Sequence, residues 1–219
     1  MKSNKDPKKN IFDHNENSIK ELIKDEKILA RILKGSEIHL KEKEKYGKVF
    51  TPLNLIYDIV IKLPKEVWTN PTLKWIDTSC GIGNIIIVVY YLLMANLKAV
   101  SGYEDDAIRS KHIIEKMLYM GELNKKNCFV LKQIFNLNNE YKLNLYEGNT
   151  LEIDINKVFN KSKFNIIIGN PPYNEELTKS GAKPLYNKFI EYYVNKCDCL
   201  TFIVPSRWFS GGKGLDKFR

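Results

Sequence analysis

Histidine and cysteine are scarce: three and four residues in a chain of 219. His14, His39 and His112 stand far apart, so they read as surface or packing groups rather than as metal ligands. Cys80, Cys128, Cys197 and Cys199 make neither a disulfide framework nor a zinc pattern, because Cys197-x-Cys199 supplies two ligands where a structural zinc site takes four. Reduced thiols, and so a reducing compartment, follow. Long apolar runs are missing too. The longest, residues 85–95, falls well short of the roughly 20 residues that a membrane span requires. The Lys-rich first ten residues lead into no apolar segment of the secretory kind. There is no internal repeat and no low-complexity block. A soluble cytoplasmic protein with no metal and no membrane partner is expected.

The remaining composition is that of a globular chain, 43% hydrophobic and 28% charged, able to bury a core without disulfides. The length allows one substantial domain and an appendage. Lys and Arg number 35 against 26 Asp and Glu, a net charge of +9. That balance favours an anionic partner, nucleic acid being the commonest, although a Lys-rich proteome gives the same drift.

Residues 1–17 are polar. Ser18-x-x-Glu21 then has the form of a capping box and opens an amphipathic helix that Gly35 can close. Residues 1–44 are therefore read as a polar tail and helix, and residues 45–219 as the main domain. A helix is expected from Pro52 to about residue 62, ended by Pro64. Strand-like and helix-like text then alternates: strands at 73–77, 99–103, 143–146, 164–169 and 200–204, and helices at 85–95, 107–120, around 129–135 and at 185–194. This order predicts an α/β fold, a doubly wound, mostly parallel sheet with an N-terminal helical extension. In such sheets ligands bind beyond the carboxyl ends of the strands.

Each strand end carries chemistry. After the first comes Asp77-Thr78-Ser79-Cys80-Gly81-Ile82-Gly83-Asn84, an acid followed by a glycine turn that lets backbone approach a ligand. It lacks the third glycine of the dinucleotide fingerprint. After the second comes Glu104, a carboxylate placed to accept ribose hydroxyls or merely to sit in an acidic cap. After the third, Asn149 and Thr150 can meet an adenine edge or cap the next helix. After the fourth comes Asn170-Pro171-Pro172-Tyr173. That tetrapeptide arises by chance in roughly one of a thousand chains this long, so it carries the most weight. Two prolines make the loop rigid and leave it only carbonyls. The Asn170 oxygen and the Pro171 carbonyl can accept both protons of one exocyclic amine while Tyr173 stacks on its plane.

This ordered set resembles the S-adenosylmethionine-dependent adenine-N6 DNA methyltransferases of the restriction–modification type. Tyr46-Gly47-Lys48-Val49-Phe50-Thr51-Pro52 is similar to that family's N-terminal cofactor motif, and Asp77 to Asn84 to its glycine motif. Pro205-Ser206-Arg207-Trp208-Phe209 and Gly211-Gly212-Lys213-Gly214 are similar to text found after its fifth strand. The resemblance implies S-adenosylmethionine as cofactor and double-stranded DNA as partner. It implies that Thr51 holds the methionine carboxylate, Asp77 the methionine amino group and Glu104 the ribose. Gly81 and Gly83 would shape the floor, with Cys80 packed behind the turn, and Asn149 and Thr150 would meet the adenine. Asn170, Pro171, Pro172 and Tyr173 would be the catalytic loop acting on a flipped-out adenine. Two rival readings share the motifs: a protein glutamine N5-methyltransferase, and a catalytically silent DNA- or partner-binding half of a larger assembly. The family continues past the text seen here, so a C-terminal target-recognition region or a partner is expected to complete it. On that expectation the chain alone binds cofactor better than it methylates DNA.

Overall fold

A computed structural model of the chain describes residues 51–136, 139–175, 183–210, 215 and 218. The helix expected over residues 18–35, the boundary at 44/45, the text before Thr51 and the glycine-rich stretch 211–214 lie outside the described residues. The described residues form two compact units. Residues 51–71 with Ile87–Ile113 make one, and Thr72–Ile86 with the residues from Ile114 onward make the other.

The second unit holds the whole sheet: β1 (Trp75–Asp77), β2 (Leu118–Glu122), β3 (Asn144–Glu147), β4 (Phe164–Gly169) and β5 (Cys197–Phe202), in the order β3-β2-β1-β4-β5. Every pairing is parallel, with Ile76 opposite both Tyr119 and Ile167. Parallel strands covered on both faces must be apolar on both faces, and β1 and β2 are buried at every residue. On one side Ile76, Tyr119, Ile153, Ile155, Phe164, Ile167, Phe189 and Tyr193 form a continuous core, with Tyr119 meeting Phe164 edge-on at 5.1 Å. Crossover helices belonging to this unit are α4 (Lys125–Phe135), α5 (Ile155–Phe159) and α6 (Tyr186–Tyr193). The first two starts have a local reason: Asn124 accepts the N–H of Lys126 and Asp154 those of Asn156 and Lys157. α6 is tied down at its far end, where Tyr193 donates its hydroxyl to the Thr150 carbonyl at 2.7 Å.

In the first unit are α1 (Leu53–Val60), a 3-10 turn at Lys65–Trp68, the body of α2 (Asn84–Leu97) and α3 (Asp106–His112). Residues 85–89 of α2 are all buried, as expected of a helix that is apolar all round.

One strand was misplaced by the sequence pattern. Residues 99–103 form turns: Val100 N–H donates to Leu97, Tyr103 N–H to Val100, and Gly102 has φ 88°. Arg109, 3% exposed, clamps the turn by donating to the carbonyls of Tyr103 (2.5 Å) and Glu104 (3.0 Å) and pairing with Asp106. The strand beside β1 is instead Leu118–Glu122, in text that helical periodicity had assigned to residues 107–120. The helix stops at His112, a π-turn spans Ile113–Met117, and the chain then enters the sheet. A strand buried on both faces has no alternation to betray it, so its apolar run continues the pattern of the preceding helix. Elsewhere the shifts are small: β5 starts at Cys197 rather than 200, and α5 was not anticipated.

Among the described residues no helix is long and apolar enough to cross a membrane. Ile167, 0% exposed at the centre of β4, anchors the core. Ile167→Ala is expected to cost about 2–5 kcal/mol in urea unfolding. Val158→Ala, at a position 44% exposed, should change stability by about 0.5 kcal/mol or less.

Candidate active site

The carboxyl ends of β1, β2, β3 and β4 converge within the sheet unit, and the residues there are tied to one another. The β1 end turns through Asp77 into the glycine loop. Gly81 and Gly83 have φ of 56° and 94°, a region that residues with a Cβ rarely adopt. A Cβ on Gly83 would also lie 2.6 Å from Leu131 Cδ2, so the loop can fold down onto α4 only with glycine there. Cys80 N–H donates to the Gly121 carbonyl (3.0 Å) and Gly83 N–H to the Cys80 carbonyl (2.7 Å).

Two buried carboxylates dominate the electrostatics. Asp77 is 1% exposed and accepts the Ser79 N–H at 3.0 Å. Gly169 at the end of β4 leaves room for it: a Cβ there would stand 2.9 Å from Asp77 Oδ1. Burial first, with the Glu122 carboxylate adding to it, pushes the Asp77 carboxyl up to about 7 against the pull of the Ser79 N–H. Glu122, 8% exposed, closes β2. Its Oε2 accepts the Gly81 N–H at 2.8 Å, and its Oε1 accepts the Asn124 N–H at 2.7 Å and the Asn127 amide at 3.2 Å. Two carboxylates at neighbouring strand ends are acceptors that can pair with a cation and with hydroxyl groups.

The sequence had put Glu104 in the second-strand position. The structure places Glu104 in the turn before α3, in the other unit, where its carboxylate accepts the Gly102 N–H at 2.9 Å. The acid at the end of the second strand is Glu122, with Leu123 beside it 70% exposed. The missed signal was the run Leu118-Tyr119-Met120 ending in Gly121-Glu122-Leu123-Asn124, an apolar run, an acid and then a helix cap.

Cys80 is 7% exposed and donates its thiol to the Gly121 carbonyl at 3.4 Å. Burial, with Asp77 and Glu122 nearby, drives that thiol well above its ordinary value, so it is a packing group and not a nucleophile. Asn149 caps no helix, since Asp154 caps α5; it closes a local turn, its Oδ1 accepting the Leu151 N–H (3.1 Å) and its amide donating to Glu152 (2.6 Å). Thr150, 4% exposed, donates to the Thr78 carbonyl at 2.7 Å and so ties the β3 end to the β1 end. Thr51 is buried in the helical unit.

Asn170 follows directly on β4. Pro171 is buried and Pro172 exposed, and the half-buried Tyr173 lies in hydrogen-bonding reach of the Asn170 side chain. Burial raises the Tyr173 phenol against that hydrogen bond. The loop is braced from behind, Leu185 N–H donating to the Tyr173 carbonyl (2.9 Å) and Glu175 N–H to the Lys183 carbonyl (2.8 Å). Among the described residues no group of three or more His, Cys, Asp or Glu is arranged to hold a metal ion.

Residues 91–219 match the Eco57I restriction-modification methylase family. A Mycoplasma pneumoniae protein described as an uncharacterized adenine-specific methylase is 27% identical over 156 residues, 69% of this chain and 36% of the relative. The chain thus spans about a third of the length of the curated relative it matches. Among solved structures, a protein described as a modification subunit of a type I restriction enzyme from Vibrio vulnificus superposes with a TM-score of 0.57 at 17% identity, over 81% of this chain and 40% of that one. A protein described as a class I S-adenosylmethionine-dependent methyltransferase from Listeria monocytogenes gives 0.54 at 17% identity, over 94% and 69%. At such identities the likeness establishes the fold: a class I methyltransferase sheet.

Asp77 carries a stability consequence. Its raised value means that between about pH 4 and 7 the folded chain keeps a proton that the unfolded chain has released. The penalty is absent below that window and complete above it. Asp77→Asn, which can still accept the Ser79 N–H, should therefore stabilise the fold by up to about 4 kcal/mol at pH 8 and leave it unchanged near pH 4. Urea unfolding at both pH values checks this.

Proposed function

Because the chain belongs to the Eco57I restriction-modification methylase family, we propose that it forms the cofactor- and base-binding part of a DNA methyltransferase that transfers a methyl group from S-adenosylmethionine to N6 of adenine. The observation that carries this reading is the braced Asn170-Pro171-Pro172-Tyr173 loop, one strand away from the buried Asp77 and two from Glu122. The adenine-specific relative supports the choice of base.

The residues present fit S-adenosylmethionine, which supplies an electrophilic methyl group when bound. Asp77 would hold its ammonium, and Glu122 its ribose hydroxyls in place of Glu104. A carboxylate already fixed by three N–H donors is an acceptor that needs no reorganisation. Leu123 offers an exposed apolar surface to the adenine face, while Asn149 and Thr150 bound that end of the site. Gly81 and Gly83 form the floor, with Cys80 behind it. Thr51 takes the methionine carboxylate on the strength of its motif.

A paired adenine presents its amine inside the duplex, so the base must swing out to reach the loop. Asn170 Oδ1 and the Pro171 carbonyl then accept its two N–H bonds. This draws the nitrogen lone pair out of conjugation with the ring and raises the electron density on N6. Pro172 keeps the loop stiff, and Tyr173, a neutral phenol that burial moves further from ionising, stacks on the base. Positioning and oriented acceptors are the whole of the protein's contribution.

Labelled methyl transfer into unmodified plasmid DNA tests the proposal. Asn170→Ala should abolish transfer while cofactor affinity stays within about twofold; retained transfer would contradict the role of the loop. In calorimetric titrations, Glu122→Gln should weaken cofactor binding roughly tenfold or more and Glu104→Gln should not, and the reverse result would restore Glu104. Cofactor affinity of the wild type should rise from pH 6 to pH 8 as Asp77 ionises, a dependence that Asp77→Asn removes.

A further inference from the structure

The edge of the sheet that carries the catalytic loop holds a second aromatic group with no role in the reading above. β5 runs beside β4 in register, Gly169 opposite Phe202, and Ile203 N–H donates to the Gly169 carbonyl at 3.0 Å. The two strands therefore leave the sheet side by side. β4 enters Asn170-Pro171-Pro172-Tyr173, and β5 passes through Pro205 into a 3-10 turn at Ser206–Phe209. In that turn the rings of Trp208 and Phe209 are stacked, their centroids 3.8 Å apart and their planes 25° apart. Trp208 is half-buried and meets Phe218 edge-on at 6.4 Å, and Phe218 meets the buried Tyr186 in the same way. Phe209 lies on the outside of this pile, 64% exposed, and the neighbouring Arg207 is exposed as well.

An outward ring held flat on a backed indole is an organised surface rather than a stray apolar residue. The exposed Arg207, two residues earlier in the same turn, suits an anion, in a chain of net charge +9. Planar rings in an anionic polymer are what this pairing fits: stacking on the aromatic face is tolerant of sequence, and the cation meets the backbone phosphate. Swinging an adenine out of a duplex leaves bases without their stacking neighbours next to the β4 loop.

We propose that Phe209, backed by Trp208 and flanked by Arg207, is a stacking platform for an unpaired DNA base adjacent to the one that enters the Asn170 loop. This rests on the DNA substrate proposed above. The platform would hold the opened duplex while the target base is out, so it acts on DNA binding rather than on the cofactor.

The test measures fluorescence anisotropy of a fluorescein-labelled single-stranded oligonucleotide, and of the same strand with abasic sites in place of its bases, against the full chain. Cofactor affinity is measured alongside as a check of folding, and so is the KM for plasmid DNA in methyl transfer. Phe209→Ala should bind the base-bearing strand roughly tenfold more weakly and raise the KM for DNA with kcat little changed. Phe209→Tyr should recover wild-type binding. On the abasic strand, wild type and Phe209→Ala should be equal. Arg207→Ala should weaken binding to both strands alike. If Phe209→Ala binds the base-bearing strand as tightly as wild type while wild type methylates DNA, the platform is wrong and the aromatic pair is a seat for another protein segment. Wild type that binds neither strand and transfers nothing to plasmid overturns the DNA reading, and the platform with it.

Discussion

The Glu122 carboxylate is the pin on which the site depends. It accepts the Gly81 N–H of the loop after β1, the N–H of Asn124 at the cap of α4, and the amide of Asn127 one turn further on. The glycine loop, the end of β2 and the crossover helix therefore share one acceptor. Without it, buried donors lose their partner, each at a cost of about 1–3 kcal/mol. Around the pin the other strand ends lock in: Cys80 to Gly121, Gly148 to Glu122, Thr150 to Thr78. The ends of β1, β2 and β3 become one object, and Gly83 and Gly169 are placed where a side chain would collide with Leu131 and with the Asp77 carboxylate.

Next to that pin Asp77 is kept where a charge is expensive. Its neighbours supply one N–H and a second carboxylate, so the carboxyl keeps its proton up to about pH 7, and a cation beside it would reverse the preference. Its charged form costs stability, a pattern common where a group serves a ligand rather than the fold. The catalytic loop shows the opposite economy. Its rigidity comes from its own prolines and from backbone hydrogen bonds to residues 183 and 185, so the chain alone sets its shape.

Much of this was legible in the sequence. β4 ends where its apolar run ends, and the Asn170 loop follows at once. The glycine turn, α2 and the parallel order of strands separated by helices were all readable from period and punctuation. The second strand was not. Val100, Gly102 and Tyr103 have strand-like composition, but Gly102 turns the chain and a buried Arg109 holds the turn closed, a tertiary contact that no local pattern announces. Leu118 to Met120, buried on both faces of the sheet, carries no alternation and merges with the helix before it. Glu104 took the role on that error, and Glu122 went unnoticed. For Asn149, turn, cap and ligand contact use the same side-chain chemistry, and only the folded chain showed that it closes a turn.

The central claim is that the loop after β4 presents two acceptors and a ring to an adenine amine. Identifying the modified nucleoside by mass spectrometry, after incubating the purified chain with S-adenosylmethionine and plasmid DNA and digesting the product, tests it most directly. N6-methyladenine is the result predicted. N4-methylcytosine would keep the fold and the acceptor geometry but contradict the base. Methylation of a protein glutamine with none of DNA would contradict the account of the substrate altogether.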